Sequence, residues 1–253
     1  MAISVTFDNG ALVFFIIIIS TIFVIYFWLK LMKMIRNSKK ALKSLAEKYS
    51  MDYVEDASDL VLNDEQIQTT QNFDISSILF DSDDTRYTYI HKNFEIDENP
   101  YDIFLGICEE RNRRRYRIRH PRRTYTSYSY STFVIIKKLK SKVSFKIEKA
   151  IPLFGSSTKV KYGDLTPTAT NMEDFDKKYA VWSSDEMSMK RILTGEVTNY
   201  LLSKKLPITV AIELRQGILK FYTNTIFLQT EEEYLELYNF MLTLLKNIEN
   251  ADN

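Results

Sequence analysis

Glycine, proline and cysteine are all scarce in this chain of 253 residues, with 6, 5 and 1 copies. Each scarcity closes off a class of function. The single cysteine, Cys108, permits no intramolecular disulfide, which fits a reducing compartment. The chain holds no Asn-x-Ser/Thr acceptor, which agrees with a cytoplasmic main domain. Phosphate-cradling loops are not indicated, since neither G-x-x-x-x-G-K-S/T nor G-x-G-x-x-G occurs. The acidic stretches contain no D-x-D-x-D-G loop for calcium. His91, His120 and Cys108 do not have the spacing of a zinc site. No metal and no cofactor is therefore expected. An arginine cluster near Cys108 is a setting that can lower a thiol pKa. Cys108 nevertheless sits in an apolar strand with no nucleophile signature around it, and it reads as a small core residue. No catalytic residue is nominated, and the chain reads as a binding or scaffolding protein rather than an enzyme.

Charge is missing from one long stretch. Ala11–Leu29, ALVFFIIIISTIFVIYFWL, has no charged residue, no glycine and no proline. A run of about 18 or more apolar residues at about 1.5 Å rise nearly crosses a hydrocarbon core of about 30 Å. One ionised side chain, Asp8, precedes it, whereas Lys30, Lys33, Arg36, Lys39, Lys40 and Lys43 follow. A cleaved signal peptide carries its basic residues before the apolar core and a small-residue cleavage site after it, the reverse of this order. A buried helix of this length normally keeps a polar stripe. The run therefore reads as a single membrane span, with Trp28, Lys30, Lys33 and Arg36 at the interface, where amphipathic rings and long cationic side chains settle. Positive charge resists translocation, so the N-terminus is expected outside and the rest in the cytoplasm.

The expected organisation follows in order. Residues 1–10 form a short extracytoplasmic N-terminus, 11–32 the transmembrane helix and 33–50 a basic amphipathic stalk helix near anionic lipid. Residues 51–85 form an acidic connector, and 86–250 an α+β cytoplasmic domain with a sub-boundary at 155–174. The connector holds ten acids and no lysine or arginine between Asp52 and Asp84, with room for a short helix or strand. From Arg86 the hydrophobic period becomes two. RYTYIHKNFEI, YDIFLGICEE, TFVIIKKLK and KVSFKIEKAI read as strands. KYAVWSS is a further strand. Ser183 and Glu186 are placed as a capping box for one amphipathic helix running to about Lys205. Ile208–Arg215 and Ile218–Thr223 read as strands joined by a Gln216-Gly217 hairpin turn. Thr230 and Glu233 form a second capping box, and the helix after it places Tyr234, Leu237, Tyr238, Met241, Leu245 and Ile248 on one face. The fold class is α+β, a mainly antiparallel sheet with packed helices behind an N-terminal transmembrane helix.

One charge cluster stands out. ERNRRRYRIRHPRR carries Arg111, Arg113, Arg114, Arg115, Arg117, Arg119, Arg122 and Arg123 between two strands, and Tyr125, Tyr128 and Tyr130 follow among small hydroxyl residues. The plain reading is a solvated hairpin tip. Eight like charges so close together repel one another, so an anionic counterpart is expected. With a membrane span upstream, that counterpart is anionic lipid headgroups or an acidic protein partner. Nucleic acid is the second choice, because arginine interleaved with tyrosine suits phosphate contact and base stacking.

The segments Leu42, Leu45, Ala46, Tyr49 and Phe175, Tyr179, Val181, Asp185, Met189, Ile192, Leu193, Thr194, together with the strand Tyr101–Gly106, carry a resemblance. In them the chain resembles a family of uncharacterised prokaryotic membrane-anchored proteins that share a domain of unknown function. The resemblance implies membrane anchorage and an α+β cytoplasmic domain. It brings no activity and no site residues, and the arginine cluster lies outside the family's pattern.

Overall fold

The computed structural model describes residues 9–57, 85–96, 99–115, 124–150, 162–207, 209–226 and 228–252. Of these, 9–12, 110–115, 124–128 and 252 are described by backbone alone. The first element is one helix, α1 (Asn9–Tyr49), 41 residues long. Nothing between Ala11 and Tyr49 breaks it, since neither glycine nor proline occurs there. It stops where Ser50 takes φ 52° and the Met51 N–H donates to the Ala46 carbonyl at 3.0 Å. That bond from the second residue past the cap to the third from the end is a Schellman closure, here with serine in the left-handed position.

The sheet is built from β1 (Asp52–Ala57), β2 (Thr85–Ile96), β3 (Asn99–Arg115), β4 (Thr124–Lys137), β5 (Phe145–Lys149), β6 (Thr166–Pro167), β7 (Tyr179–Ser183), β8 (Ala211–Arg215) and β9 (Ile218–Thr223). These nine strands lie in the order β1-β2-β3-β4-β9-β8-β5-β7-β6, every neighbour antiparallel. One register row crosses the whole sheet: Asp52, His91, Phe104, Ile135, Lys220, Glu213, Lys146, Trp182 and Pro167. The sheet thus starts at Asp52, and the segment read as an acidic connector contributes its edge strand. Gly106 sits where β2 and β3 come close, since a Cβ there would lie 2.7 Å from the Tyr89 Cβ and against the Thr88 carbonyl. The Gln216-Gly217 turn has φ 50° and 74°, the paired positive values that a tight hairpin turn demands.

Among the described residues four further helices follow: α2 (Glu173–Asp176), α3 (Glu186–Ile192), α4 (Gly195–Ser203) and α5 (Glu231–Asp252). The single helix expected from Ser184 to Lys205 is two. Leu193 and Thr194 leave the helical region with ψ 65° and 167°, and Gly195, a poor helix former, opens α4. The break is held by α5, whose Asn247 amide donates to the Ile192 carbonyl and to Thr194 Oγ1, both at 3.0 Å. The cap of α3 is also not the expected serine. Asp185 accepts from the Met187 and Ser188 N–H groups at 3.0 and 3.2 Å. Its carboxyl is held below the usual range by the Ser188 hydroxyl first and the Met187 N–H second. At α5 the capping box stands as read, with Thr230 N–H to Glu233 at 3.0 Å and Glu233 N–H to Thr230 Oγ1 at 3.3 Å.

All the long helices share one face of the sheet. Ile90, Leu105, Val134, Phe221, Ile212 and Ile147 from the strands meet Leu42 and Leu45 of α1, Met189 of α3, Val197 of α4, and Leu237 and Met241 of α5. Each fully buried aliphatic side chain stabilises by about 1.5–3 kcal/mol relative to exposure. Tyr87, Tyr89, Phe104, Cys108, Phe133 and Ile135 form a second, smaller apolar cluster on the opposite face.

Candidate functional site

The site starts from two environments along α1. From Val13 to Leu29 the large apolar side chains are exposed, between 41% and 68%. This is a helix long and apolar enough to cross a membrane, with a mean hydropathy of 2.4 in its best window and none of that window buried. At Leu31 the surroundings change. Leu31 and Ile35 pack against the domain core, and Ser38, Ala41, Leu42, Leu45 and Ala46 are buried. Of the expected interface residues, Trp28 and Lys30 are exposed at the end of the span, and Lys33 and Arg36 face away from the core. Lys40, Lys43 and Glu47 continue that exposed face. The apolar stripe of the stalk is thus covered by the domain itself. No spacer separates the span from its first contact with the domain.

Several polar contacts fix this docking. The Ser38 hydroxyl and the Tyr234 hydroxyl of α5 hydrogen-bond to each other within the core. Burial raises the Tyr234 phenol above its ordinary range. Ser44 Oγ and Lys48 Nζ donate to Glu231 at 2.9 and 2.7 Å, and Lys39 Nζ reaches Asp56 at 2.6 Å and Glu55 at 3.3 Å. Further along, Lys92 Nζ of β2 donates to the Tyr49 carbonyl at 3.2 Å.

These contacts give the sheet a direction relative to α1. Lys39 lies beside Asp56, whose N–H donates to Thr88 Oγ1, while Tyr49 lies beside Lys92. Ten helical residues, about 15 Å, thus run beside four strand residues, about 13 Å, so β2 and α1 are nearly aligned. β3 is antiparallel to β2 and therefore runs back toward the start of the exposed span. Among the described residues it also outruns its neighbours: β2 pairs with β3 as far as Thr85–Glu110, and β9 pairs with β4 as far as Thr223–Thr132. Beyond these points β3 and β4 continue as a two-stranded ribbon among the described residues, pairing Arg111 with Tyr128, Arg113 with Thr126, Arg114 with Tyr125 and Arg115 with Thr124.

Elementary spacings show how far the ribbon reaches. From Lys39 back to Lys30 is nine residues of helix, about 14 Å. Thr88 pairs with Ile107. From Ile107 to Arg111 is about 13 Å of strand, and to Arg115 about 26 Å. Strand length is therefore sufficient for the ribbon to reach the level of Lys30, at Arg111 when it runs along α1 and at Arg115 when it is inclined by about 60°. Arg117, Arg119, Arg122 and Arg123 lie outside the described residues.

The thiol–imidazole pair is not assembled. Cys108 is opposite Tyr87, four residues and about 13 Å along β2 from His91. Cys108 is 1% exposed in the smaller cluster. His91 stacks on Phe104 with ring centroids 4.5 Å apart, between Asp52 at 3.7 Å and Asp102 at 3.9 Å. His120 lies outside the described residues. Among the described residues no group of three or more His, Cys, Asp or Glu side chains is arranged to hold a metal.

Sequence reasoning missed a buried charged row on the face opposite the long helices. Lys146, Glu213 and Lys220 are neighbours across β5, β8 and β9, and all are 5% exposed or less. Lys146 Nζ meets Glu148 at 2.5 Å and lies 3.7 Å from the Tyr162 ring centre. Burial lowers the Lys146 ammonium, but its bonds to Glu148 and Tyr162 prevail and hold it above its usual value. Burial raises the Glu213 carboxyl against the opposing pull of Lys146 and Lys220. Among the described residues Glu213 Oε1 has no hydrogen-bond partner. In a period-two pattern these residues look like an ordinary solvent face, and no local signal marks their burial.

No family model matches the chain. No curated protein matches it either. A search of solved structures finds the crystal structure of the mycobacterial trehalose monomycolate transport factor A, TtfA, with 11% identity and a TM-score of 0.45, over 85% of this chain and 94% of that one. At that score the likeness carries no argument about this chain. The resemblance drawn from Leu42, Leu45, Ala46 and Tyr49, the strand Tyr101–Gly106 and the Phe175–Thr194 segment is therefore carried by those residues alone.

Proposed function

We propose that the protein is a single-pass, membrane-anchored interaction module. Its N-terminus lies outside, its α+β domain lies in the cytoplasm, and its arginine ribbon contacts anionic lipid headgroups. The observation that supports this reading is the direction of the β3–β4 ribbon, which leaves the sheet with Arg111 to Arg115 toward the end of α1 that carries Lys30. Each lysine or arginine held at an anionic surface contributes about 1 kcal/mol. The four arginines from Arg111 to Arg115 together supply a substantial, salt-sensitive attraction. Orientation follows from the basic flank after Leu29. The role is binding rather than catalysis, as the wide separation of Cys108 and His91 supports.

The test is cosedimentation of the chain from Leu31 onward, once its cooperative melting is verified, with phosphatidylglycerol-containing vesicles. Changing Arg111, Arg113, Arg114 and Arg115 to glutamine is expected to weaken binding by about a hundredfold or more at low salt. Unchanged affinity removes the lipid reading. An acidic protein partner uses the same charges and is distinguished by binding that persists without vesicles.

Nucleic acid is the second reading, favoured by the ribbon register that sets Arg111 opposite Tyr128 and Arg114 opposite Tyr125. Retardation of RNA or DNA that weakens steeply with salt and with those substitutions, in a protein indifferent to anionic vesicles, selects it.

A further inference from the structure

We infer that α1 acts as a fixed-height post, so that the arginine ribbon binds anionic headgroups of the same leaflet in which α1 is anchored. Headgroups of a second membrane and free polyanions are then not its ligands. This inference rests on the lipid reading and adds where the lipid is and what holds the ribbon against it.

Three observations carry it. First, α1 is one unbroken helix from Asn9 to Tyr49, with no glycine or proline after Gly10 to serve as a hinge. Second, the last exposed apolar residue of the span is Leu29, and contact with the domain core begins at Leu31. A single residue, Lys30, lies between them, so the domain has no linker through which to turn or lift. Third, the docked part is held at several heights: Leu31 and Ile35 against the core, Ser38 to Tyr234, Lys39 to Asp56, and Lys48 to Glu231. A helix fixed at so many points cannot swing independently of the sheet.

The consequence is geometric. The ribbon of the sheet fixed to α1 extends toward Lys30, and its strand length of about 13 Å to Arg111 and about 26 Å to Arg115 suffices to cover about 14 Å of helix back to Lys30 at inclinations up to about 60°. The exposed basic residues of α1 itself, Lys30, Lys33 and Arg36, occupy the same zone. Both basic groups therefore meet one leaflet together. Binding of the ribbon is intramolecular once α1 is inserted, and its effective local concentration is set by a rigid helix rather than a flexible chain. A free polyanion has no such advantage, and a second bilayer lies on the wrong side of the ribbon.

The experiment uses the full chain in proteoliposomes and follows tryptic cleavage between Arg111 and Arg123. In phosphatidylglycerol-containing vesicles, cleavage is expected to be about tenfold slower than in phosphatidylcholine alone. Inserting seven helix-forming residues between Lys30 and Leu31 adds two turns, about 10.5 Å, with little change of facing. That lift is about one Debye length at physiological salt, and the insertion variant is expected to lose most of the protection. Its melting transition in phosphatidylcholine shows whether the domain is intact. A shorter insertion of four residues, about 6 Å, is expected to give an intermediate loss and serves if the longer one misfolds. Equal protection of wild type and both insertion variants overturns the fixed-height post while leaving the lipid reading in place. Protection by anionic vesicles added to protein held in neutral nanodiscs overturns the same-leaflet assignment. Equal cleavage of the wild type in both lipids overturns the lipid reading and this inference with it.

Discussion

The two halves of α1 share one backbone and differ in everything around it. From Val13 to Leu29 the side chains are apolar on all sides and exposed. From Leu31 to Tyr49 the apolar residues narrow to a stripe that the domain buries, and the opposite side carries Lys33, Arg36, Lys40, Lys43 and Glu47. The first half has the composition of a segment whose solvent is hydrocarbon, and the second that of a helix with protein on one side and water on the other. The difference teaches that the apolar segment is structurally continuous with the domain. The second half of α1 supplies core residues as α3, α4 and α5 do, so the direction in which the exposed half leaves the domain is built into its packing.

The largest expected effect breaks the docked half. Leu42 and Leu45 are both fully buried. Leu42→Asp places an unpaired carboxylate in that core and is expected to abolish cooperative melting, while Leu42→Ala costs about 2–5 kcal/mol by chemical denaturation. A smaller effect is expected from Tyr234→Phe. It leaves the buried Ser38 hydroxyl without its partner and costs about 1–3 kcal/mol, read from the midpoint of a urea transition.

Smaller again is the contribution of Lys39. Burial lowers its ammonium, but hydrogen bonds and charge from Asp56 and Glu55 prevail and hold it above 10.5. A raised folded value means that the stabilisation is complete below about pH 10.5 and fades as the pH climbs through that raised value. Lys39→Met is expected to lower stability by at most about 1 kcal/mol near neutrality. Its deficit relative to the wild type should shrink when melting is repeated at strongly alkaline pH. The smallest effect tests the exposed half. Removing residues 1–30 takes away side chains that contribute nothing to the described core, so the melting temperature is expected to move by no more than about 2 °C. A large drop shows that the two halves are not independent in this sense.

Legibility differed from place to place for identifiable reasons. The strand segments Arg86–Ile96, Tyr101–Glu110 and Thr132–Lys137 and the last helix were readable because their hydrophobic periods are strong and, at Thr230 and Glu233, because the cap is encoded by nearby residues; the continuation of β3 to Arg115 and the start of β4 at Thr124 were not, because that stretch of β3 is charged and the cluster reads as a hairpin tip between strands. The break between α3 and α4 was not. The pattern from Met189 to Leu201 keeps a helical period across Leu193 and Thr194, and the residue that holds the break, Asn247, is distant in sequence. β1 was hidden because half of DYVEDA is charged and it lies at a sheet edge. Of the candidate site, the eight arginines were evident from spacing alone. Their level relative to Lys30 was not, because it depends on how β2 lies along α1 and on how far β3 outruns its neighbours.

By itself the sequence determined the existence of a charge-free span with a one-sided basic flank, an α+β domain after it, and a concentrated arginine cluster. These are local properties, settled by composition, period and adjacency. Only the tertiary structure decided that the second half of α1 is core, that Lys146, Glu213 and Lys220 are buried rather than solvated, and that the ribbon with Arg111 extends toward the end of α1 that carries Lys30. Those depend on strand order, register and helix docking, which join residues such as Ser38 and Tyr234 across nearly the whole domain. No local pattern carries that information, because burial belongs to the neighbours a residue acquires and not to the residue alone.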